Sequence, residues 1–407
     1  MKHTLWTFDF TIITLGTIIS AIGSVAMNFA LSLVVFDQTS STLATGIFAA
    51  VSFLPSTLIP LLCAPYVDTH IRKHIIVRLD AVSGLLYLIF SYYLLHHTFS
   101  YSVYMIFSLV IGSIGAVYNL AYTSLYPELI TKGFMQKGYS ISSIIYPSIT
   151  AIMAPVASFM YVKYGIISIC LLEGVLLLCA SFGEHFIRYE EQRTKTSSFS
   201  FVAYGKEIKE GLDYVKKEKG IKNIYSYMAL TNGSGEGISL MTMAMFQSDA
   251  SLSTTMYGFL STAEMIGRFC GSIFHYFVKI PYEKRYKIAV SVYVTYEGLD
   301  MILLFIAYPL MLINRFIAGF LGINSLNIRE SSTQNYIPSH MRARVNAFFS
   351  VIVAIVTIFT KLIAGVLGEF VEYRYVALCF AILSMVAIFY IVVRNKKHIA
   401  PIYNKDI

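Results

Sequence analysis

The residues of this sequence that could do chemistry are ionisable side chains inside long apolar runs. Each one costs about 2.5–3.5 kcal/mol to insert into a bilayer unless it faces a cavity or a partner of opposite charge. Such side chains bind a charged solute, exchange a proton or neutralise one another. Those nearest the middle of the runs are Glu173, Glu236, Glu264, Arg268, Glu297 and Asp300, whereas Arg315 and Lys361 lie nearer the outer side.

The spacing of four of these residues predicts two kinds of pair. Glu264 and Arg268 are four residues apart, so they share a helix face and can neutralise each other. Glu297 and Asp300 are three apart and share a face, but their charges are alike. Two carboxylates this close do not both stay ionised at low cost, which makes one of them a candidate for reversible protonation. A salt bridge from this pair to Arg268 or Arg315 is the alternative.

Glu236 lies in a run of small residues that also contains Gly233, Gly235 and Gly237. Glycines at this density permit a local helix break or the close approach of a neighbouring helix. Glu236 is then either an unpaired carboxylate facing a cavity or a structural hydrogen-bond acceptor. Because nearly all the ionisable groups in the runs belong to the second half of the chain, we expect proton coupling there. The candidate residues are Glu236, Glu264, Glu297 and Asp300.

Substrate contacts are predicted from charge and from aromatic spacing. Arg268 and Arg315 would suit an anionic solute, whereas an unpaired Glu236 would suit a cationic one. An aromatic wall with a few polar groups suits amphiphilic or planar organic molecules, although most aromatic residues of such a chain face lipid. Three residues of the fourth run have a spacing that would let them line a cavity: Tyr118, Asn119 and Tyr122.

The elements that position these residues follow from composition. Of the 407 residues, 56% are hydrophobic and only 13% are charged, against roughly 25% in a soluble domain. About 20 apolar residues cross a bilayer as a helix. The sequence therefore predicts an all-α polytopic membrane protein with twelve transmembrane helices in two six-helix halves. The runs are 11–36, 45–67, 74–95, 101–126, 139–162, 165–187, 223–247, 256–278, 286–306, 309–330, 345–368 and 374–393.

Charge distribution predicts the topology. With both termini in the cytoplasm, 25 of the 31 Lys and Arg residues fall on the cytoplasmic side. This is the positive-inside bias, and it predicts a multi-pass protein of the plasma membrane. The net charge of +8 is then a consequence of topology. We expect its partners to be membrane lipids rather than nucleic acid.

One polar segment divides the chain. Residues 188–222 are rich in charge, and Phe201, Ile208, Leu212 and Val215 recur there at helical spacing. This pattern predicts an amphipathic helix on the cytoplasmic face. The predicted organisation is an N-terminal six-helix half over 1–187, a cytoplasmic linker over 188–222, and a C-terminal half with a short cytoplasmic tail over 223–407.

Four stretches resemble the Major Facilitator Superfamily, and within it the drug:proton antiporter subgroup of macrolide-efflux-like and siderophore-exporting proteins. Ala64–Lys73 resembles the superfamily signature between helices 2 and 3, and Leu125–Leu129 matches the end of helix 4 in the subgroup. Lys206–Tyr214 and Arg342–Val345 resemble its central cytoplasmic helix and the segment before helix 11. The resemblance covers most of the chain and implies the fold more strongly than the substrate.

The resemblance also implies a conformational latch in the loop between helices 2 and 3. Its members here would be Asp68 and Arg72, with Lys73 beside them and Asp80 as a possible third partner. A plain topogenic loop is the alternative. Gly112 stands where many antiporters of the family carry an arginine, and this departure speaks against a proton antiporter while leaving an exporter.

The expected function is secondary active export of an amphiphilic organic small molecule by alternating access, with proton coupling. No nucleotide-binding loop or enzyme signature is present in the sequence, so we expect neither an enzyme nor a cofactor. We expect a monomer whose partners are a small-molecule substrate, protons and lipids. The alternatives are a nutrient importer or facilitator on the same fold, and a non-transporting membrane sensor.

Overall fold

The computed structural model describes residues 4–131, 134–189, 201–278 and 280–405, and the regular secondary structure in these ranges is all helical. Short 3₁₀ segments cover Tyr282–Lys284 and Leu303–Phe305, and a π-helical segment covers Ile388–Val393. The helices are α1 (Phe8–Thr39), α2 (Thr42–Thr69), α3 (Arg72–His96), α4 (Tyr101–Leu129), α5 (Met135–Glu184), α6 (Phe201–Lys217), α7 (Lys219–Ser248), α8 (Thr254–Phe277), α9 (Arg285–Ile302), α10 (Tyr308–Tyr336), α11 (Ser339–Phe370), α12 (Tyr373–Ala387) and α13 (Lys396–Tyr403).

Long apolar helices dominate the chain, as predicted for a polytopic membrane protein. Within the described residues, nine helical segments are long and apolar enough to cross a membrane. One of them, α5, is two helices joined at Gly165, whose φ of 73° is readily adopted only by glycine. That turn falls between the two predicted runs 139–162 and 165–187. The helices α7 and α8 are also of spanning length, and they carry Glu236, Glu264 and Arg268.

The chain forms two compact units. The N-terminal unit comprises Met1–Gln38 and Val51–Phe199, and the C-terminal unit comprises Thr39–Ala50 and Ser200–Ile407. The first turns of α2 belong to the C-terminal unit because they pack on α11. There Oε1 of Glu369 accepts hydrogen bonds from the Leu43 amide at 2.9 Å and the Ser41 hydroxyl at 2.6 Å. A carboxylate at a helix N-terminus satisfies free amides and is favoured by the helix dipole.

Glycines allow close helix packing in the C-terminal unit. A Cβ at Gly267 of α8 would lie 2.0 Å from the carbonyl oxygen of Phe316, and one at Gly319 of α10 would lie 2.1 Å from that of Glu264. Both helices therefore need glycine where they cross. The glycines around Glu236 allow the close approach of a neighbouring helix and do not break their own helix. Helix α7 is continuous, and Gly233 packs on α11.

The predicted amphipathic helix is present as α6, inside the polar segment 188–222. Val215 is buried in the C-terminal core, while Lys216 and Lys217 are exposed. Glu210 of α6 forms an ion pair of 2.7 Å with Arg344 of α11. The side chains of Phe201 and Ile208 lie outside the described part of the structure.

Candidate functional site

A cavity of about 580 Å³ lies within the C-terminal unit, and we call it the C-terminal cavity. Helices α7, α8, α9 and α10 supply its walls. Six of the seven ionisable residues predicted in the second half line it, so residues that are far apart in sequence are brought together. The seventh, Lys361, does not line it. The charged and aromatic residues of the lining are Glu236, Glu264, Arg268, Glu297, Asp300, Arg315, Arg329, Tyr227, Tyr257, Tyr293 and Tyr296.

Two ion pairs lie in the wall of this cavity. Oε1 of Glu264 accepts from Nε and Nη2 of Arg268 at 3.1 and 2.8 Å, as their spacing predicts. Asp300 accepts a hydrogen bond from Nη2 of Arg315 in a nearly buried ion pair. The predicted alternative, a salt bridge from the acidic pair to Arg315, is therefore present at Asp300. Glu297 is only 4% exposed and forms no ion pair within the described residues. Glu297 is therefore the member of the acidic pair that no described cation neutralises by an ion pair.

The orientation of Arg315 is set by its neighbour in sequence. Oδ1 of Asn314 accepts from Nε and Nη2 of Arg315 at 3.1 and 2.8 Å, and Nδ2 of Asn314 donates to the carbonyl of Leu299 at 2.8 Å. This chain of hydrogen bonds joins α10 to α9. Asn314 therefore orients the Arg315 guanidinium towards Asp300, and both ends of the Asn314 amide are hydrogen-bonded.

Glu236 faces the cavity, as one of its two interpretations holds, but it is not unpaired. Its Oε2 lies 2.9 Å from Nζ of Lys361, which α11 contributes. The Glu236 side chain nevertheless remains 48% exposed and lines the cavity. Sequence spacing could not show this pair because its members are 125 positions apart and meet only through helix packing.

Arg329 is a cavity residue that the sequence interpretation missed because it lies at the end of the tenth apolar run. A signal was nevertheless present. Arg315, Gly322 and Arg329 recur every seven residues, which places them on one face of α10. The spacing therefore predicts that the charged face of α10 continues from Arg315 to Arg329.

A second cavity, of about 310 Å³, lies within the N-terminal unit, and we call it the N-terminal cavity. It is lined by the three predicted aromatic and amide residues of α4, namely Tyr118, Asn119 and Tyr122. The Thr17 hydroxyl is 3.0 Å from that of Tyr122. Two carboxylates share the cavity: Asp80 and Glu173.

The predicted latch residues occupy separate places in the N-terminal unit. Nη1 of Arg72 lies 2.7 Å from Oε1 of Glu128 at the end of α4, and Lys73 donates to the carbonyl of Ile187. Asp80 is eight residues farther along α3, about 12 Å from Arg72, and faces the N-terminal cavity. The side chain of Asp68 lies outside the described residues.

The expectation that the second half holds nearly all the buried ionisable groups is wrong. Asp80, Glu173 and Glu184 are 4%, 3% and 0% exposed in the N-terminal unit. Glu173 and Glu184 interrupt the sixth apolar run eleven residues apart, which is close to three helical turns and places them on one face. That spacing was the missed signal.

Apolar helices of spanning length that enclose charged side chains and polar cavities are typical of membrane transporters. The sequence matches the model of the Major Facilitator Superfamily over residues 13–296. The chain belongs to this superfamily.

Individual relatives are more distant. The chain is 26% identical over 234 residues to Macrolide efflux protein A of Streptococcus pyogenes, and the match covers 54% of each protein. The chain thus spans about half the length of that relative. Its fold is similar to a bacterial homologue of the iron transporter ferroportin, with a TM-score of 0.71, 14% identity and coverage of 94% and 98%. It is also similar to the nucleoside transporter NupG, with a TM-score of 0.66, 12% identity and coverage of 95% and 99%.

Proposed function

We propose that this transporter is a secondary active exporter of amphiphilic organic small molecules, working by alternating access and driven by protons. The observation that carries the proposal is the C-terminal cavity. Its volume of about 580 Å³ falls in the range that holds a drug-sized ligand. Its wall combines tyrosine rings with groups of both charge signs, which suits a solute with an apolar body and a polar or ionic group.

The charged residues of the cavity divide into accessible and buried groups. Glu236 and the Glu264–Arg268 pair are partly exposed, so they are available to a solute. Arg315 and Asp300 are buried and form an ion pair with each other, so we assign them a structural role. Glu264 and Arg268 would then exchange their mutual ion pair for contacts with the solute. Outward transport is supported by the likeness to a macrolide efflux protein.

Glu297 is the residue of this cavity that we propose for proton coupling. It lies buried one helical turn from Asp300 and has no ion-pair partner among the described residues. Gaining or losing a proton there changes the net charge of the cavity wall by one. A change of one charge in a low-dielectric interior is large enough to alter solute affinity and the balance between conformations.

The proposed exporter lies in the plasma membrane with both termini in the cytoplasm. Residues 1–187 and 223–407 are its two halves, and residues 188–222 are the linker. Arg72 and Lys73, with Asp68, are proposed as the conformational latch, supported by the ion pair between Arg72 and Glu128. A latch of this kind biases a conformational equilibrium without contacting the solute.

Transport by purified protein tests this proposal. The full chain is reconstituted into proteoliposomes, and uptake of macrolides and fluorescent amphiphiles is measured with and without an imposed pH gradient. We expect gradient-driven uptake that Arg268→Gln impairs. Glu283→Gln, in an exposed 3₁₀ turn, serves as the matched control. Flux of no compound, or equal flux with and without the gradient, contradicts the proposal.

A further inference from the structure

Three carboxylates are packed together in the interior of the N-terminal unit. Asp80 comes from α3, while Glu173 and Glu184 come from the second half of α5. Asp80 is close enough to interact electrostatically with both glutamates. None of the three forms an ion pair with any residue that the structure describes.

Helix α1 is shaped to receive the two glutamates. A Cβ at Gly16 would lie 2.6 Å from Oε1 of Glu184, and a Cβ at Gly23 would lie 1.7 Å from Oε2 of Glu173. The two glycines are seven residues apart and so share one face of α1. We call this arrangement of Gly16, Gly23, Asp80, Glu173 and Glu184 the acidic notch.

The groups facing the acidic notch do not compensate three negative charges. Ser20 of α1 donates to Oδ2 of Asp80 at 3.5 Å, and the Tyr118 hydroxyl of α4 lies near Glu184. The titratable groups that face it from the adjoining helices within the described ranges are phenols and a thiol, all neutral at neutral pH. They are Tyr87, Tyr118, Tyr146 and Cys170, and Tyr122 lies in the wall of the cavity that Asp80 and Glu173 also line.

Glu173 connects the acidic notch to the N-terminal cavity. Its side chain lines the cavity, yet its Oε2 is buried without a hydrogen-bond partner among the described residues. An ionised carboxylate with a buried, unsatisfied oxygen is costly in a membrane interior, whereas a protonated one is neutral. The neutral form also supplies an O–H donor that a neighbouring carboxylate oxygen can accept.

We propose that the acidic notch binds protons in the membrane interior and exchanges them through the N-terminal cavity during transport. This inference rests on the proposed function, and it adds a second proton site in the half of the chain that carries no predicted coupling residue. In the release step the O–H bond of Glu173 breaks, the proton passes to water in the cavity, and the carboxylate retains the electron pair. Asp80 and the hydroxyl of Ser20 line the same cavity, so they can relay the proton.

Infrared difference spectroscopy tests proton binding without any substrate. The full chain in lipid is compared at two pH values, and the carbonyl stretch of protonated carboxylic acids is recorded. We expect a titrating acid band that the triple variant Asp80→Asn, Glu173→Gln, Glu184→Gln diminishes and that Glu283→Gln leaves unchanged. An undiminished band in the triple variant overturns the inference.

A second measurement does not depend on the folding of the triple variant. The unsubstituted chain is labelled with ¹³C at its glutamate carboxyl carbons, which moves any glutamic-acid band to lower frequency. We expect Glu173→Gln alone, which keeps the shape of the side chain, to remove part of the shifted band. A titrating band that keeps its frequency after labelling, or one that follows sodium concentration instead of pH, overturns the inference.

The inference and the proposed function fail in different ways. Unsubstituted protein whose flux ignores the pH gradient contradicts the proposed proton coupling, whatever the infrared band shows. A triple variant that keeps the full response to the gradient overturns the role of the acidic notch and leaves the proposed function intact. We expect the pH gradient to drive transport by the unsubstituted chain. We expect it not to drive transport by the triple variant.

Discussion

Replacing Gly23 with alanine should destabilise the N-terminal unit because the new methyl group has no space. It would lie 1.7 Å from Oε2, 2.9 Å from Cδ and 3.1 Å from Cα of Glu173. The glutamate must therefore leave its position, and the backbone of α5 limits how far it can move. Overpacking of this kind costs about 1–3 kcal/mol, and with a backbone atom in the clash we expect the upper part of that range.

A matched control separates this clash from helix propensity. Gly115 of α4 is in the same unit, and a Cβ there would meet nothing within 4 Å. Both substitutions gain about 1 kcal/mol from the higher helix propensity of alanine, so their difference isolates the overpacking. We expect Gly23→Ala to unfold several degrees below Gly115→Ala, since about 1 kcal/mol shifts the melting temperature by roughly 2–4 °C in a unit of this size.

Thermal unfolding of the purified full chain in detergent, followed by intrinsic fluorescence and by size-exclusion chromatography, gives the comparison. Adding Glu173→Ala to Gly23→Ala removes the clashing side chain and should recover most of the lost stability, which makes the coupling between the two sites measurable. Equal melting temperatures for Gly23→Ala and Gly115→Ala would refute the packing of Glu173 against α1.

Three further predictions concern the C-terminal unit. Arg315→Met leaves Asp300 buried without its partner and should cost about 3–5 kcal/mol, whereas adding Asp300→Leu should recover most of this loss in thermal unfolding. Glu369→Ala removes the carboxylate that accepts from the Leu43 amide, so α2 should lose about 0.5–2 kcal/mol of capping, seen as faster hydrogen exchange in its first turn. Glu264→Gln breaks a partly exposed pair and should change stability by less than about 1 kcal/mol while lowering transport, so a melting temperature reduced as far as in Arg315→Met would contradict the assignment.

Local helix geometry explains which features of the sites could be predicted. The Glu264–Arg268 pair follows from a spacing of four on one helix, and nothing distant can alter that proximity. The ion pairs of Glu236 with Lys361 and of Asp300 with Arg315 depend on which helices pack together, which periodicity does not reveal. The sequence therefore identified the residues of the C-terminal cavity more reliably than their partners.

The acidic notch was missed for a related reason. Its recognition depends on Gly16 and Gly23, and glycines in an apolar helix are common at ordinary packing seams. Only the distance from α1 to the carboxylates of Glu173 and Glu184 shows what these glycines accommodate. Asp80 was assigned by its nearness in sequence to Arg72, although eight residues of helix separate the two by about 12 Å.

The stretches that carried the family resemblance prove to be partners in space. Arg72 of the first stretch pairs with Glu128 of the second, and Arg344 of the last pairs with Glu210 of the third. Each ion pair lies within one unit, and the first joins the start of α3 to the end of α4. The motifs therefore have a structural reason to occur together, which explains why they indicate the fold better than the substrate.

Proton flux accompanying transport is the most direct test of the central claim. Proteoliposomes containing the full chain and a trapped pH indicator are exposed to a transported amphiphile without an imposed gradient. We predict proton movement opposite to the solute, abolished in Glu297→Gln and preserved in Glu283→Gln. Solute movement with no accompanying proton flux in the unsubstituted protein would contradict the account.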